Sequence, residues 1–218
     1  MISVIIPTLN DAANLPRALA PLVAGVADGV VKEAVIVDGG SSDETTAVAE
    51  AAGCDVVRLE GSRARRLIAG ARAARGDWLL FLSADAILCE GWLEEARRFM
   101  GKPGAQSRAA TFRLAFEEDA PLAKRIVLSA RMRTEMFGRP YGDQGLLISR
   151  RLYDIVGGYQ DMGQNEDEDL ARRIGRQRLT LFRTEVIANF ERHKRRRAET
   201  FARYLRAIPM KRGIEAED

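Results

Sequence analysis

Three sets of carboxylates stand where this chain could act on a charged substrate. Asp38 follows the apolar run 34–37 and precedes Gly39-Gly40; Asp85 follows residues 78–82, the most apolar run in the sequence; Glu166, Asp167, Glu168 and Asp169 are consecutive. Hard divalent cations take carboxylate and phosphate oxygens together, so an acid at the tip of an apolar strand suits a diphosphate site, and Asp85 is the candidate. A carboxylate can also take the proton of an attacking hydroxyl. Spacing alone does not choose a base from the acidic run, which equally suits a helix N-terminus. The single histidine, His193, lies within Arg192-His193-Lys194-Arg195-Arg196-Arg197. It reads first as part of a solvated basic face.

Elements that would position these groups alternate along the chain. Residues 3–6 form a β-branched strand ended by Pro7, and residues 14–26 place Leu15, Leu19, Leu22, Val23 and Val26 at helical spacing. Further strands are expected at 34–37, 56–59 and 78–82. Ser41 and Glu44 have capping-box spacing for a helix running through Ala52. Residues 63–75 are alanine-rich and helix-favouring, with Gly76 as their stop. The second half predicts strands at 111–116, 146–149 and 179–182 and helices at 121–137 and 168–175. Apolar strands separated by helices imply an α/β fold: one domain with a Rossmann-like, mostly parallel sheet covered by helices on both faces. Ligands of such sheets bind beyond the carboxyl ends of the strands. Pro7-Thr8-Leu9-Asn10, Asp38 and Ser83-Ala84-Asp85 should therefore meet on one rim.

Composition removes several alternatives. The chain has 218 residues, 46% hydrophobic and 30% charged, with 34 basic against 31 acidic residues for a net charge of +3. That is a globular composition, too evenly charged to indicate a nucleic-acid partner. The basic run 192–197 has no interleaved aromatics, which also argues against nucleic acid. Cys54 and Cys89 match neither a disulfide framework nor zinc-ligand spacing, so a reducing, cytoplasmic location is expected. No basic n-region precedes the first apolar run, and no stretch reaches the roughly 18 apolar residues of a membrane span. The first turn, Pro7 to Asp11, has no glycine, which opposes a dinucleotide fingerprint, and a P-loop pattern is missing as well.

The motifs carry a resemblance. Ser3-Val4-Ile5-Ile6-Pro7-Thr8-Leu9-Asn10, Val37-Asp38-Gly39-Gly40-Ser41-Ser42-Asp43, Arg63-Ala64, Gly70-Ala71, Gly76-Asp77 and Leu79-Leu80-Phe81-Leu82-Ser83-Ala84-Asp85 occur in that order. Tyr141-Gly142-Asp143-Gln144-Gly145, Arg150-Arg151, Gly157-Gly158-Tyr159 and Glu166-Asp167 follow. Together they resemble family 2 glycosyltransferases of the GT-A fold over about residues 1–190. They come nearest to a small bacterial subgroup whose metal motif reads His-Ala-Asp-Thr, where this chain has Ser83-Ala84-Asp85-Ala86. Arg66-Leu67-Ile68 likewise stands in place of that subgroup's Gln-Met-Asn.

The resemblance implies an inverting glycosyltransferase that moves a sugar, most simply a hexose, from a nucleoside-diphosphate sugar to a hydroxyl acceptor. Asp38 would bind the nucleobase in a pocket shaped by Pro7, Thr8 and Asn10, and Arg63 would lie near the diphosphate. Asp85 would hold Mg2+ or Mn2+, and a C-terminal imidazole, here His193, could complete the cation site. Asp167 would be the general base, with Gly142, Asp143, Gln144 and Glu166 on the acceptor side. Residues 1–105 would form the nucleotide-sugar half, 106–190 the acceptor half and 191–218 a basic appendage. Lipid or glycan acceptors both fit, and the segment 192–212, with Tyr204, Leu205 and Ile208 among its basic residues, could meet an anionic membrane surface. Two other readings stay open: a weak or inactive relative acting as a membrane-associated nucleotide-sugar-binding module, and a Rossmann dehydrogenase or methyltransferase using Asp38.

Overall fold

The computed structural model describes residues 1–162, 165–195 and 198. Strand β1 is Ile2–Thr8, followed by helix α1 at Leu15–Leu19 and, after a 3-10 turn at Ala20–Leu22, α2 at Val23–Ala27. Then come β2 (Val31–Asp38), α3 (Thr45–Ala51), β3 (Asp55–Arg58), α4 (Arg63–Ala73), β4 (Trp78–Phe81), β5 (Ile87–Leu88) and α5 (Trp92–Met100). The later elements are β6 (Ala109–Ala115), α6 (Pro121–Phe137), β7 (Leu146–Ser149), α7 (Arg150–Ile155), α8 (Glu166–Ile174) and β8 (Leu179–Ile187).

All eight strands join one sheet in the order β3-β2-β1-β4-β7-β6-β8-β5. The first four are parallel, β7 runs antiparallel to both β4 and β6, β8 is parallel to β6, and β5 pairs antiparallel at the edge. This is the expected α/β fold. Every residue of β1 and β4 is buried because both faces are covered. Val4, Ile6 and Leu80 pack on one face with Phe112, Leu147 and Trp92; Ile5, Leu79 and Phe81 pack on the other with Leu67, Ile148 and Leu170. That double covering is why these strands read as continuous apolar runs instead of alternating ones.

Three expectations change in detail. The helix expected over 14–26 is split, because Pro21 in the 3-10 turn removes a backbone donor. The capping box does not form: the Ser41 hydroxyl donates to Asp38 instead, and Asp43 accepts from Thr45 N at 3.0 Å, so α3 starts later. Strand β8 continues five residues past 182, held at Arg183 and Thr184 by the Glu95 carboxylate of α5. Helices α5 and α7 and the two-residue β5 lay outside the sequence expectations.

Helix α4 rests directly on the parallel strands. A Cβ at Gly70 would collide with Ile5 Cγ2 and lie 3.0 Å from Val37 Cγ2. Gly70→Ala would gain up to about 1 kcal/mol of helix propensity. Against this, overpacking a fixed core costs about 1–3 kcal/mol. The expected outcome is a net loss of stability, read as a lower denaturant midpoint with an unchanged m-value.

Candidate active site

The rim is built from the ends of β1, β2 and β4. In-register pairing sets Thr8 beside Asp38 at the last step of the ladder. Asp38 Oδ1 accepts from Thr8 Oγ1 at 3.0 Å and Ser41 Oγ at 2.5 Å, while Oδ2 accepts from the backbone N–H groups of Gly40 (3.0 Å) and Ser41 (2.8 Å). Burial pushes the Asp38 carboxyl up, but the donors from Ser41, Gly40 and Thr8 outweigh it and hold it below the usual carboxylate range. Pro7 is buried within β1 opposite Val37. Asn10 is exposed in a left-handed conformation (φ 55°), with its backbone N–H on Ser41 Oγ at 2.8 Å and its side-chain oxygen receiving Ser42 N at 2.8 Å. The first two strand loops are therefore laced together at the candidate nucleobase position.

Arginines dominate the space beside this loop pair. Arg66 of α4 lies over Gly39, where any Cβ would strike its guanidinium. Its Nη1 donates to Gly61 O at 3.0 Å. Burial lowers the Arg66 pKa, and Arg63 adds to that, against opposing pulls from Asp38 and Asp11. Arg192 places Nη1 2.8 Å from Asp11 Oδ1 and 3.6 Å from Asp85 Oδ1. Those two carboxylate side chains are only 3% and 6% exposed. Burial would lower the Arg192 pKa, but Asp85 and Asp11 override it and raise it.

His193 corrects an expectation. It is not part of a solvated basic face: it is 2% exposed, its Nδ1 lies 2.8 Å from Asp143 Oδ2, and its ring meets Tyr141 and Phe116 edge-on. The short helix 190–195 is drawn inward by these contacts and by Phe190, which packs with Leu114, Ile126 and Ala188. Lys194 pairs with Glu191 and lies over the Phe190 ring. The remainder of the proposed membrane-facing segment 192–212, with Tyr204, Leu205 and Ile208, lies outside the described residues apart from residue 198.

Several residues expected on the acceptor side gather at the start of α8. Asp167 Oδ1 accepts from the Tyr159 hydroxyl at 2.9 Å and Oδ2 from Arg63 Nη1 at 2.8 Å; the same Nη1 donates to Glu166 Oε1 at 2.7 Å. Arg63 thus grips the carboxylate pair. Burial acts to lower its pKa, but Asp167 and Glu166 hold it above its ordinary value. Tyr159 is kept protonated by burial and by the neighbouring Asp167. Asn165, just before the helix, is the second non-glycine residue with positive φ (63°) among the described residues. Left-handed strain of this kind clusters at functional sites.

One short turn joins the two groups. In the 3-10 segment Gly142–Gln144, a Cβ on Gly142 would collide with Asp167 Oδ2, Asp143 receives His193, and fully buried Gln144 donates to Phe112 O at 2.9 Å and accepts from Tyr141 N at 2.9 Å. Gly142 must lack a side chain because the Asp167 carboxylate, fixed by Arg63 and Tyr159, cannot yield. Sequence reasoning singled out Asp85, Asp167 and this turn, but gave no site role to Asp11 or Arg66 and placed Arg192 on a solvated or membrane-facing basic run. The Arg66-Leu67-Ile68 departure was a signal for the second; no local signal marks the first or third, whose contact spans 181 positions.

Whether a divalent cation fits can be judged from the donors. Asp85 and Asp11 already flank the positive charge of Arg192, and the hydroxyl of Ser83, two residues before Asp85 in the chain, is buried with no hydrogen-bond partner among the described residues. An orphaned hydroxyl costs about 1–3 kcal/mol and suits an oxygen-rich ligand. No cluster of three or more His, Cys, Asp or Glu with metal-site geometry occurs among the described residues. Asp85 could thus supply part of a coordination shell, with diphosphate oxygens completing it.

Comparison with known proteins gives a consistent result. The family model described as glycosyl transferase family 2 matches residues 3–158. A PGL/p-HBAD biosynthesis glycosyltransferase of Mycobacterium tuberculosis is 29% identical, covering 75% of this chain and 78% of the relative. Among solved structures, a mannosyltransferase from Pyrobaculum calidifontis in complex with GDP-Man and Mn2+ superposes with a TM-score of 0.65 at 20% identity, covering 94% of this chain and 64% of that one. Glucosyl-3-phosphoglycerate synthase from Mycobacterium tuberculosis, in complex with Mn2+, UDP and glucosyl-3-phosphoglycerate, gives 0.60 at 19% identity, covering 85% and 70%. At these identities the structural likenesses establish the fold.

The carboxylate of Asp38 carries a testable pH dependence. An unfolded Asp titrates near about 3.9. Because the native value is depressed, the stability Asp38 contributes is fully present above about pH 5 and is lost as pH falls through the native value. Asp38→Asn is expected to destabilise the protein by about 2 kcal/mol at pH 7, the scale of lost charge-assisted bonds. In urea melts, the gap to wild type should stay constant from pH 6 to 8 and close below about pH 4.

Proposed function

The chain belongs to glycosyl transferase family 2 and is a glycosyltransferase; from that premise we propose that it transfers a hexose from a nucleoside-diphosphate sugar to a hydroxyl acceptor with inversion at the anomeric carbon. One observation carries the reading: the turn Gly142–Gln144 touches Asp167 at one end and the His193 helix, which brings Arg192 to Asp85, at the other. Candidate base and candidate cation holder thus border one rim.

Asp38, Thr8 and Asn10, with Pro7 behind them, would receive the nucleobase. Asp85 would hold Mg2+ or Mn2+; bound with the donor, such an ion lowers the cost of charge building up on the departing diphosphate. The acceptor oxygen attacks the anomeric carbon from the side opposite the diphosphate, its proton passes to Asp167, and the bond to the diphosphate breaks. Both Asp167 oxygens are engaged, yet each carries a second lone pair, so an acceptor hydroxyl can still be received. Arg63 and Tyr159 fix the carboxylate for that step, and Glu166, Asp143 and Gln144 shape the acceptor side. In this reading Arg63, expected near the diphosphate, serves the base through its contacts with Glu166 and Asp167.

A lipid surface is proposed beside the acceptor side. Helix α6 exposes Leu128, Met132 and Met136 at successive four-residue steps, with Leu122 and Phe137 near its ends and exposed Lys124, Arg125 and Arg131 on the same helix. Its inner face is anchored to the site through Thr134 Oγ1 and Gln144 Oε1, 3.3 Å apart. Two of those basic residues are paired, Lys124 with Asp119 and Arg131 with Glu135, so it is the apolar stripe that suits a membrane interface. No helix among the described residues is long and apolar enough to cross a membrane.

Two measurements test these assignments. Asp167→Asn should lower kcat by about 10²–10⁴-fold, the usual worth of a general base, with nucleotide affinity retained. Asp85→Ala should instead weaken metal-dependent binding of UDP or GDP in calorimetry. Failure of the purified protein to bind either nucleotide with Mg2+ or Mn2+ would refute the reading. For the membrane edge, Leu128→Glu combined with Met132→Glu should reduce co-sedimentation with phosphatidylglycerol vesicles by about tenfold or more, given roughly 1.5–3 kcal/mol per buried large apolar side chain. The melting temperature should hold, because both side chains are exposed.

A further inference from the structure

The Asp11–Asp85 pair already binds a cation, and the chain supplies it. Arg192 bridges the two carboxylates at 2.8 and 3.6 Å, with its own side chain 25% exposed while theirs are nearly buried. Asp11 also accepts from Leu9 N at 3.0 Å, but Arg192 is a positive charge that spans Asp11 and Asp85, and a cation entering between the two carboxylates has to take its place. The helix that brings Arg192 is itself pinned next door by His193 on Asp143.

We propose that Arg192 is a resident counter-ion that a divalent cation must displace to reach Asp85, so that the helix 190–195 acts as a latch on the cation pocket. The proposal deepens the glycosyltransferase reading and rests on its assignment of Asp85. A guanidinium does not lose its proton in proteins, so the exchange occurs by movement and not by titration. A bare ion has to expel this guanidinium into solvent with no new partner for it. An ion arriving with a nucleoside diphosphate brings anionic oxygens that can receive the released guanidinium. Metal and nucleotide binding are therefore coupled through Arg192: each strengthens the other, and reciprocally.

The test is Mn2+ titration followed by electron paramagnetic resonance, on wild type, Arg192→Gln, Arg192→Lys and Arg192→Gln combined with Asp85→Asn, each with and without UDP or GDP. Arg192→Gln is expected to bind Mn2+ alone at least tenfold more tightly than wild type and to lose most of the nucleotide-induced tightening. Arg192→Lys should stay near wild type, and adding Asp85→Asn should abolish the gain. Equal or weaker Mn2+ binding by Arg192→Gln overturns the latch. Absence of nucleotide binding in every variant overturns the transferase reading instead, while the Mn2+-only titrations still decide the exchange. On the unmodified chain, trypsin cleavage of the Arg192–His193 bond, followed by mass spectrometry, should accelerate at least fivefold at saturating Mn2+ alone, which expels the guanidinium into solvent, and less with Mn2+ and UDP together; an unchanged rate at saturating Mn2+ counts against the latch even if the variants fail to fold.

Discussion

A carboxylate drawn beneath the surface has to be given donors or a positive charge, and the candidate site is organised around that constraint. Asp38 meets it with hydroxyls and backbone N–H groups, Asp167 with Tyr159 and Arg63, Asp143 with His193, and the Asp11–Asp85 pair with Arg192. Burying a charge without such compensation costs far more than any one contact returns. The partners thus decide where each acid can sit.

These compensations differ in how readily they can be exchanged. Donors on Asp38 come from two loops that lock each other through Asn10, Ser41 and Ser42, a rigid arrangement suited to recognition. Asp167 is fixed but keeps acceptor capacity on both oxygens, a state suited to receiving a proton. Arg192 is different again. It is a long, partly exposed side chain reaching in from a late helix, and its charge could be replaced by another cation without rebuilding the sheet. Rigidity at the proposed nucleobase pocket and exchangeability at the proposed cation pocket would follow from which element supplies the partner.

Helix α4 ties these regions to the core. Gly70 lets it lie against Ile5 and Val37, and Arg150 caps its far end through the carbonyls of Ala71 and Ala74 at 3.1 and 2.6 Å and through Gly76 O at 3.1 Å. From this fixed axle, Arg63 points to the α8 carboxylates and Arg66 to the strand loops. The small residues and the basic ones of this stretch serve different purposes: the former permit close packing, the latter turn that packing into charge placement.

Much of the architecture was legible because the parallel strands are buried on both faces and so stand out as apolar runs, and because the 121–137 helix and the 146–149 strand have clear boundaries. Asp38 and Asp85 could be placed at strand tips from order alone, and motif resemblance singled out Asp167 from its acidic neighbours. What linear order did not hold was partnership. A solvated face and an inward latch have the same basic composition, and nothing near Arg192 or His193 in the chain says that Asp11 and Asp143 wait for them 181 and 50 positions away. Local sequence set which segments are helix or strand, since that depends on periodicity and turn chemistry within a few residues. Only the folded arrangement decided which charge neutralises which, because that depends on distances between segments that share no local pattern.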